Sequence, residues 1–272
     1  MSSQEFKINK FDMKRIEDGK IILAIGKRMT GKSYCVRDLL FHKRKIPLAR
    51  VLSGTERANA FYGDFVPPAC ISFDYDENII NKFMTRQREL KTKKHLEPSY
   101  KDLDSRALLI LDDLMFAKDE WVKSSDIKEI FMNGRHYDIT FILTLQYCLG
   151  IPPALRNNTD FIFIFRENRP MERKKLYDHW CGVIPTFEMF NKLMDKCTND
   201  YGCLVIDNNC KSNRFEDQVY WYKATDNGSF KMCDPRLWTL SNPNAVTATR
   251  DASKSQKHSQ VPQKKYKIVL EK

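Results

Sequence analysis

Eight consecutive residues carry the most specific chemistry in the chain: Gly26-Lys27-Arg28-Met29-Thr30-Gly31-Lys32-Ser33. They fit the pattern Gly-x-x-x-x-Gly-Lys-Ser/Thr. Glycines let the backbone wrap closely around an anion and aim its N–H groups at phosphate oxygens. A helix that starts here presents its positive end to the same anion. Lys32 is placed to reach the β- and γ-phosphates of a nucleotide, and the Ser33 hydroxyl to hold Mg²⁺. The expected ligands are therefore ATP and Mg²⁺.

A second constellation lies downstream. Ala107-Leu108-Leu109-Ile110-Leu111 is an apolar run that ends in Asp112-Asp113. Asp112 is the expected second Mg²⁺ residue. Asp113 stands where a carboxylate would orient or deprotonate an attacking water. A strand end capped by turn-forming acids is the bland alternative, and the phosphate loop upstream is what favours the chemical one. Ile139–Leu145 is a β-branched run that ends in Gln146. A polar residue at that point lies in the ligand crevice of an open α/β sheet, where it could sense the γ-phosphate or position water. An arginine is also expected to stabilise charge on the transferred phosphoryl group, often from a neighbouring subunit. Arg135 is the first candidate, then Arg156, with Arg166 at a strand end as the third.

These residues need a scaffold that gathers them at one end. Lys20–Ile25 reads as a buried strand, Gly26–Thr30 as a loop and Gly31 to about His42 as a helix. Further strands are expected at Arg50–Ser53, Ala107–Leu111, Ile139–Leu145 and Phe161–Phe165. Helical periodicity marks Asp76–Lys94, Ser125–Arg135, Glu172–Trp180 and Pro185–Lys196, and Glu97-Pro98-Ser99 breaks the first of these. Pro152-Pro153 opens a short helix. Cys203–Ile206 and Val219–Tyr222 are a candidate hairpin. Strands alternating with helices predict an α/β fold, a mostly parallel sheet sandwiched by helices, with a small C-terminal extension. Continuous apolar strands agree, because parallel strands are buried on both faces. Residues 1–19 read as a polar lead-in, 20–241 as the folded domain and 242–272 as a basic tail. Asn242–Val261 is expected to be disordered. Tyr266–Leu270 is a short apolar end that could dock.

Composition limits the partners. The longest apolar runs are far shorter than the ~20 residues of a membrane helix, and Met1–Lys20 has no signal-peptide character. A soluble, non-secreted protein is expected. Eight scattered cysteines without a Cys-x-x-Cys pair suit reduced thiols. His179, Cys181, Cys197, Cys203 and Cys210 cluster loosely, at spacings that fit no zinc pattern. The net charge is +11, and Asn242–Lys272, with seven basic residues against two acids, supplies +5 of it. Such a charge attracts polyanions, nucleic acid first among them. A solvated surface is the alternative.

Three further segments sharpen the picture: Asn133-Gly134-Arg135-His136-Tyr137-Asp138-Ile139, Leu143-Thr144-Leu145-Gln146-Tyr147, and Ile151-Pro152-Pro153-Ala154-Leu155-Arg156-Asn157-Asn158-Thr159-Asp160, closing with Phe163-Ile164-Phe165-Arg166. In this order, with the phosphate loop, they resemble the genome-packaging ATPases of nucleocytoplasmic large DNA viruses, which are similar to the FtsK/HerA branch of P-loop motors. The resemblance covers roughly 20–167, and more weakly to about 238. It implies a homo-oligomeric ring at a capsid opening that drives double-stranded DNA inward by ATP hydrolysis. It also implies capsid or portal partners, an arginine that completes a neighbour's site, and residence in the host cytoplasm, the viral factory or the virion. Asp113 in place of Glu departs from the wider FtsK/HerA pattern. No separate nuclease domain is visible. The basic stretch Lys82–Lys101 and the tail are candidate DNA surfaces. Two other readings compete: a P-loop phosphotransferase of nucleoside or nucleotide kinase type, and a non-enzymatic DNA- or capsid-binding protein with a degenerate loop.

Overall fold

The computed structural model describes residues 7–148 and 151–240. The expectations for Asn242–Val261 and Tyr266–Leu270 lie outside these residues. In chain order the strands are β1 (Asn9–Lys10), β2 (Ile21–Ile25), β3 (Leu48–Ser53), β4 (Ile71–Ser72), β5 (Ala107–Asp112), β6 (Ile139–Leu145), β7 (Phe161–Ile164), β8 (Gly202–Asp207) and β9 (Val219–Lys223). They form one sheet in the order β1-β9-β8-β7-β2-β6-β5-β3-β4. Only β8 runs against the others. The fold class is the expected one, a mostly parallel sheet covered by helices.

Five longer helices pack on the sheet: α1 (Lys32–His42), α2 (Glu77–Leu96), α3 (Ser125–Asn133), α4 (Pro170–Trp180) and α5 (Phe187–Cys197). Local sequence sets their starts. The side chains of Asp76, Ser124 and Thr186 accept hydrogen bonds from the backbone N–H groups of Asn78, Ile127 and Met189, and so cap α2, α3 and α5. Alternation along β2 divides the core. Ile21, Leu23 and Ile25 face Phe83, Ile130, Trp180 and Phe190 on one side. Ile22 and Ala24 face Val36 and Leu39 of α1 on the other. Both faces of the central strands are dry, which explains their unbroken apolar runs.

Residues 9–16 differ from the polar lead-in that composition predicts. Phe11, Met13 and Ile16 are buried against α1 and the sheet. Phe11 packs edge-on against Phe161, Phe163 and Tyr220. β1 adds a parallel edge beside β9, with Asn9 opposite Tyr220. Three core side chains scattered among charged residues give little periodic signal, yet they anchor the segment.

At the other end of the described chain, residues 230–237 return across α1 and β3. Met232 N–H donates to the Phe65 carbonyl at 3.0 Å, and Asp234 N–H to that of Pro47 at 2.8 Å. Beneath this segment Asp38 of α1 is buried and accepts from Tyr222 Oη at 2.5 Å, Thr225 N at 2.7 Å and Asn227 Nδ2 at 2.6 Å. One carboxylate thus ties the helix after the phosphate loop to the strand and loop at the far end of the sequence.

Candidate functional site

The loop 26–31 joins the carboxyl end of β2 to the amino end of α1. Its two glycines are required by space and by backbone. A Cβ on Gly26 would lie 2.5 Å from Phe165 Cβ. Gly31 has φ +94°, and a Cβ there would lie 2.9 Å from Tyr201 Cβ. Thr30 Oγ1 donates to the Lys27 carbonyl at 2.8 Å and closes the turn. Gly26 N–H donates to the Leu145 carbonyl at 2.9 Å, which locks the loop to the end of β6. Arg28 and Met29 project into solvent.

Lys32 Nζ lies 3.3 Å from the Gly26 carbonyl and 3.4 Å from that of Leu145. Burial holds its ammonium below the usual lysine range, and the charges of Asp112 and Asp113 oppose that shift. The lysine and the two carboxylates therefore share one field. Ser33 is exposed in the first turn of α1.

The acid end is built by strand register. β6 lies between β2 and β5, so Gln146, directly after β6, stands between the phosphate loop and the acids. Asp112 ends β5, buried. Its Oδ1 accepts from Thr144 Oγ1 at 2.6 Å and its Oδ2 from Ser53 Oγ at 3.0 Å. Tyr62, fully buried, also bonds to it, and the Tyr62 hydroxyl is pushed well above its ordinary range by burial and then by the Asp112 and Glu56 charges. Thr144 Oγ1 in turn accepts from Asp113 N–H at 3.1 Å. One hydroxyl so fixes both acids. Asp113 adopts φ +52°, a left-handed conformation that Asp tolerates better than most residues. This turns the chain out of the sheet directly after the strand. Gln146 Nε2 donates to Asp113 Oδ1. Downstream, Trp121 is fully buried and its Nε1 donates to the Leu114 carbonyl at 3.1 Å, which anchors the loop behind Asp113.

Lys32, Asp112, Asp113 and Gln146 are thus brought together. Thr144 and Ser53 join them without having stood out in the sequence. Each is one polar residue within a strand, and only the pairing of the strands brings it to the acids. Glu167 also joins the loop, through tertiary contact. It is buried just after β7, pairs with Lys27 of the phosphate loop, and accepts from Arg169 N–H at 2.8 Å. Arg166 stands beside it and lines a small cleft with Gly26 and Gln146.

The other arginines lie elsewhere. Arg135 sits in the turn Gly134–Tyr137, before β6, where its backbone faces Gly19 ahead of β2. That is the amino end of the parallel strands, a full strand length of roughly 20 Å from the phosphate loop of its own chain. It is exposed, and its Nε lies 3.4 Å from His136 Nε2. Arg156 lies over the Trp180 ring, 5.7 Å from its centroid. Neither joins the site within this chain. Part of the basic charge of α2 is already paired: Arg88 with Asp126 and Glu129, Lys91 with Asp138.

Oxygen donors suit the hard Mg²⁺ ion. Ser33 and Asp112 would hold it. An ionised carboxylate has about four lone-pair positions, so the hydroxyls on Asp112 leave it room for a metal. Among the described residues no group of three or more His, Cys, Asp or Glu side chains is arranged as a metal centre. Cys181, Cys197 and Cys203 are buried, and burial pushes their thiols up, Cys197 to about 11. No helix among the described residues is long and apolar enough to cross a membrane.

Comparison with known proteins agrees with this fold. The fold matches the genome-packaging NTPase B204 of Sulfolobus turreted icosahedral virus 2, solved with ATP-gammaS, at a TM-score of 0.53 and 17% identity over 77% of this chain and 100% of that one. It also matches ATPases 2 and 3 of EssC from Geobacillus thermodenitrificans at a TM-score of 0.52 and 14% identity, over 82% of this chain and 42% of that one. No family model matches the chain. Two viral sequences are nearer relatives. Uncharacterized protein L437 of Acanthamoeba polyphaga mimivirus is 37% identical over 228 residues, 83% of this chain and 80% of that protein. Uncharacterized protein 075L of Invertebrate iridescent virus 6 is 42% identical over 234 residues, 82% of this chain and 87% of that protein. The chain belongs to the family of these large-DNA-virus proteins, and its fold is the P-loop NTPase fold shared by viral genome-packaging NTPases and EssC-type ATPases.

Proposed function

We propose that this protein is an ATP-hydrolysing motor that translocates double-stranded DNA and packages a viral genome. The observation that carries the reading is the convergence of Lys32, Asp112, Asp113 and Gln146 at one end of the sheet, on a fold shared with packaging NTPases. Lys32 neutralises the β- and γ-phosphates. Ser33 and Asp112 hold Mg²⁺, which when bound offsets the phosphate charge. Asp113 orients the attacking water and takes its proton. Gln146, bonded to Asp113, positions that carboxylate and senses the γ-phosphate. An acid paired with an amide suits a water nucleophile, which favours hydrolysis over transfer to a second substrate.

Arg135 serves a neighbour's site in a homo-oligomeric ring. Its distance from the phosphate loop of its own chain supports action in trans. Contacts to DNA go through backbone phosphates, because a translocating motor must pass any sequence. Lys82, Lys93, Lys101 and the basic tail are the candidate contacts, and portal or capsid proteins the candidate partners. In cells the protein works in the viral factory of the host cytoplasm or in the virion.

The test is ATP hydrolysis with and without long double-stranded DNA, at several salt concentrations, with Lys32→Ala as the blank. Salt-sensitive stimulation that vanishes in the variant is expected. Turnover indifferent to DNA of every length would remove the translocation reading, and phosphate transfer to a nucleoside would replace it.

A further inference from the structure

The Lys32–Asp113 site binds phosphates, metal and water, and leaves the nucleoside unassigned. The strand order says where the nucleoside lies. Asp112, Asp113 and Gln146, which define the γ-phosphate end, stand on β5 and after β6, all to one side of β2. A triphosphate held by the loop 26–33 with its γ end there must send its nucleoside toward the other side, over β7 and β8. β8 is the one strand that runs in reverse, so the turn that begins it, rather than one that ends it, borders the site.

That turn carries Tyr201. Its backbone lies against the phosphate loop, with Tyr201 Cβ 2.9 Å and its carbonyl oxygen 3.0 Å from where a Gly31 Cβ would be. The residue is 64% exposed. Asp200 and Tyr201 are consecutive left-handed residues, at φ +49° and +61°, a conformation that is unfavourable for a tyrosine. The turn is nevertheless rigid. Gly202 has no room for a Cβ, which would meet the Cys197 carbonyl at 2.4 Å. Gly202 N–H donates to the Asn199 carbonyl at 2.9 Å, and Asp200 is ion-paired with Lys223 on β9. A strained turn, pinned on three sides, holds an aromatic ring in solvent beside the loop. Core packing does not account for it. Tyr34, in the first turn of α1, is likewise exposed, at 70%.

Resting on the nucleotide-binding reading above, we infer that Tyr201 is the stacking platform for the nucleobase, with Tyr34 at the rim of the same subsite. A ring stacks on the π-face that every base has, and the nearby Asp200 carboxylate is committed to Lys223. The platform therefore gives affinity without selecting adenine over guanine.

Binding of ATP, GTP and inorganic tripolyphosphate to the full chain by calorimetry separates the parts. Tyr201→Ala and Tyr201→Leu should weaken ATP and GTP alike by about 5- to 150-fold and leave tripolyphosphate unchanged. Tyr201→Phe should bind all three as the wild type does. ATP affinity unchanged in both Tyr201→Ala and Tyr201→Leu overturns the platform while the phosphate loop stands. Equal losses for ATP and tripolyphosphate overturn it as well, since Tyr201 would then act only through the shape of the loop. Wild-type tripolyphosphate binding that survives Lys32→Ala instead defeats the underlying reading of the loop.

Discussion

Thr144→Val offers a sharp test of how the acids are held. Valine has nearly the shape of threonine, so the fully buried position loses no volume. It loses two hydrogen bonds, the 2.6 Å bond to Asp112 Oδ1 and the 3.1 Å bond from Asp113 N–H. The first has a charged acceptor and the second leaves a backbone donor without its partner. Together they correspond to a loss of about 2–4 kcal/mol, or roughly 5–15 °C in melting temperature for a domain of this size. The functional effect should exceed the structural one. Asp112 keeps its bonds from Ser53 and Tyr62 but loses the 2.6 Å one from Thr144, and Asp113 loses the tether that sets its backbone. Outer groups of this kind typically change metal affinity or activity by about 10–100-fold. Thermal melting and steady-state ATP hydrolysis across a magnesium titration read both effects. Thr144→Ser retains the hydroxyl and should recover most of each. If Thr144→Val melts lower but hydrolyses ATP with unchanged rate and magnesium dependence, the hydroxyl is a structural tie only and the argument fails.

Three other outcomes are expected. Mixing Arg135→Ala with Asp113→Asn protein should restore part of the hydrolysis that each lacks, because a neighbouring pair would hold one intact site; no recovery at any ratio contradicts the shared site. Asp38→Asn keeps one acceptor oxygen for Tyr222 and Thr225 but sets an NH2 group against the Asn227 donor inside the fold, and should cost about 1–3 kcal/mol, seen as a lower urea midpoint with an unchanged slope; an unmoved midpoint would show that the carboxylate is dispensable. Burial raises the Asp18 carboxyl, but hydrogen bonds from Lys43 and Arg106 more than reverse this and hold it below its ordinary 3.8. Its contribution is therefore complete above the unfolded value and is lost as pH falls through the depressed folded one. The stability gap between wild type and Asp18→Asn should be flat from pH 8 to 5 and shrink below about pH 4; a gap that is constant down to pH 3 refutes the assignment.

The residues that sequence could reveal are those whose type and spacing carry the chemistry. The loop 26–33 needs two glycines, a lysine and a hydroxyl in fixed order, and Asp112-Asp113 and Gln146 end apolar runs. Thr144 and Ser53 escape because a single polar residue in a β-rich strand reads as a strand former. Their role exists only through register, where Ser53 lies opposite Asp112 and Leu111 opposite Leu143. Tyr201 and Glu167 meet the loop through tertiary contact alone. β1 and β4 are two residues each, too short to show a period. Helix starts are legible because the caps at Asp76, Ser124 and Thr186 are local.

The central position of β2 also sets a clock on synthesis. β2 leaves the ribosome early, but Ile25 pairs with Leu145 and Ile164. Its first neighbour arrives about 120 residues later, some 6–24 s at ordinary elongation rates. During that wait the phosphate loop has a sequence but no floor, since Gly26 N–H bonds to Leu145 and the Gly26 cradle is closed by Phe165. Nucleotide cannot template the nascent chain over that interval. Unpaired apolar strands are exposed meanwhile, which is when a chaperone would matter. Among the strands, two-residue β1 is the last to find its partner, when β9 emerges to receive it.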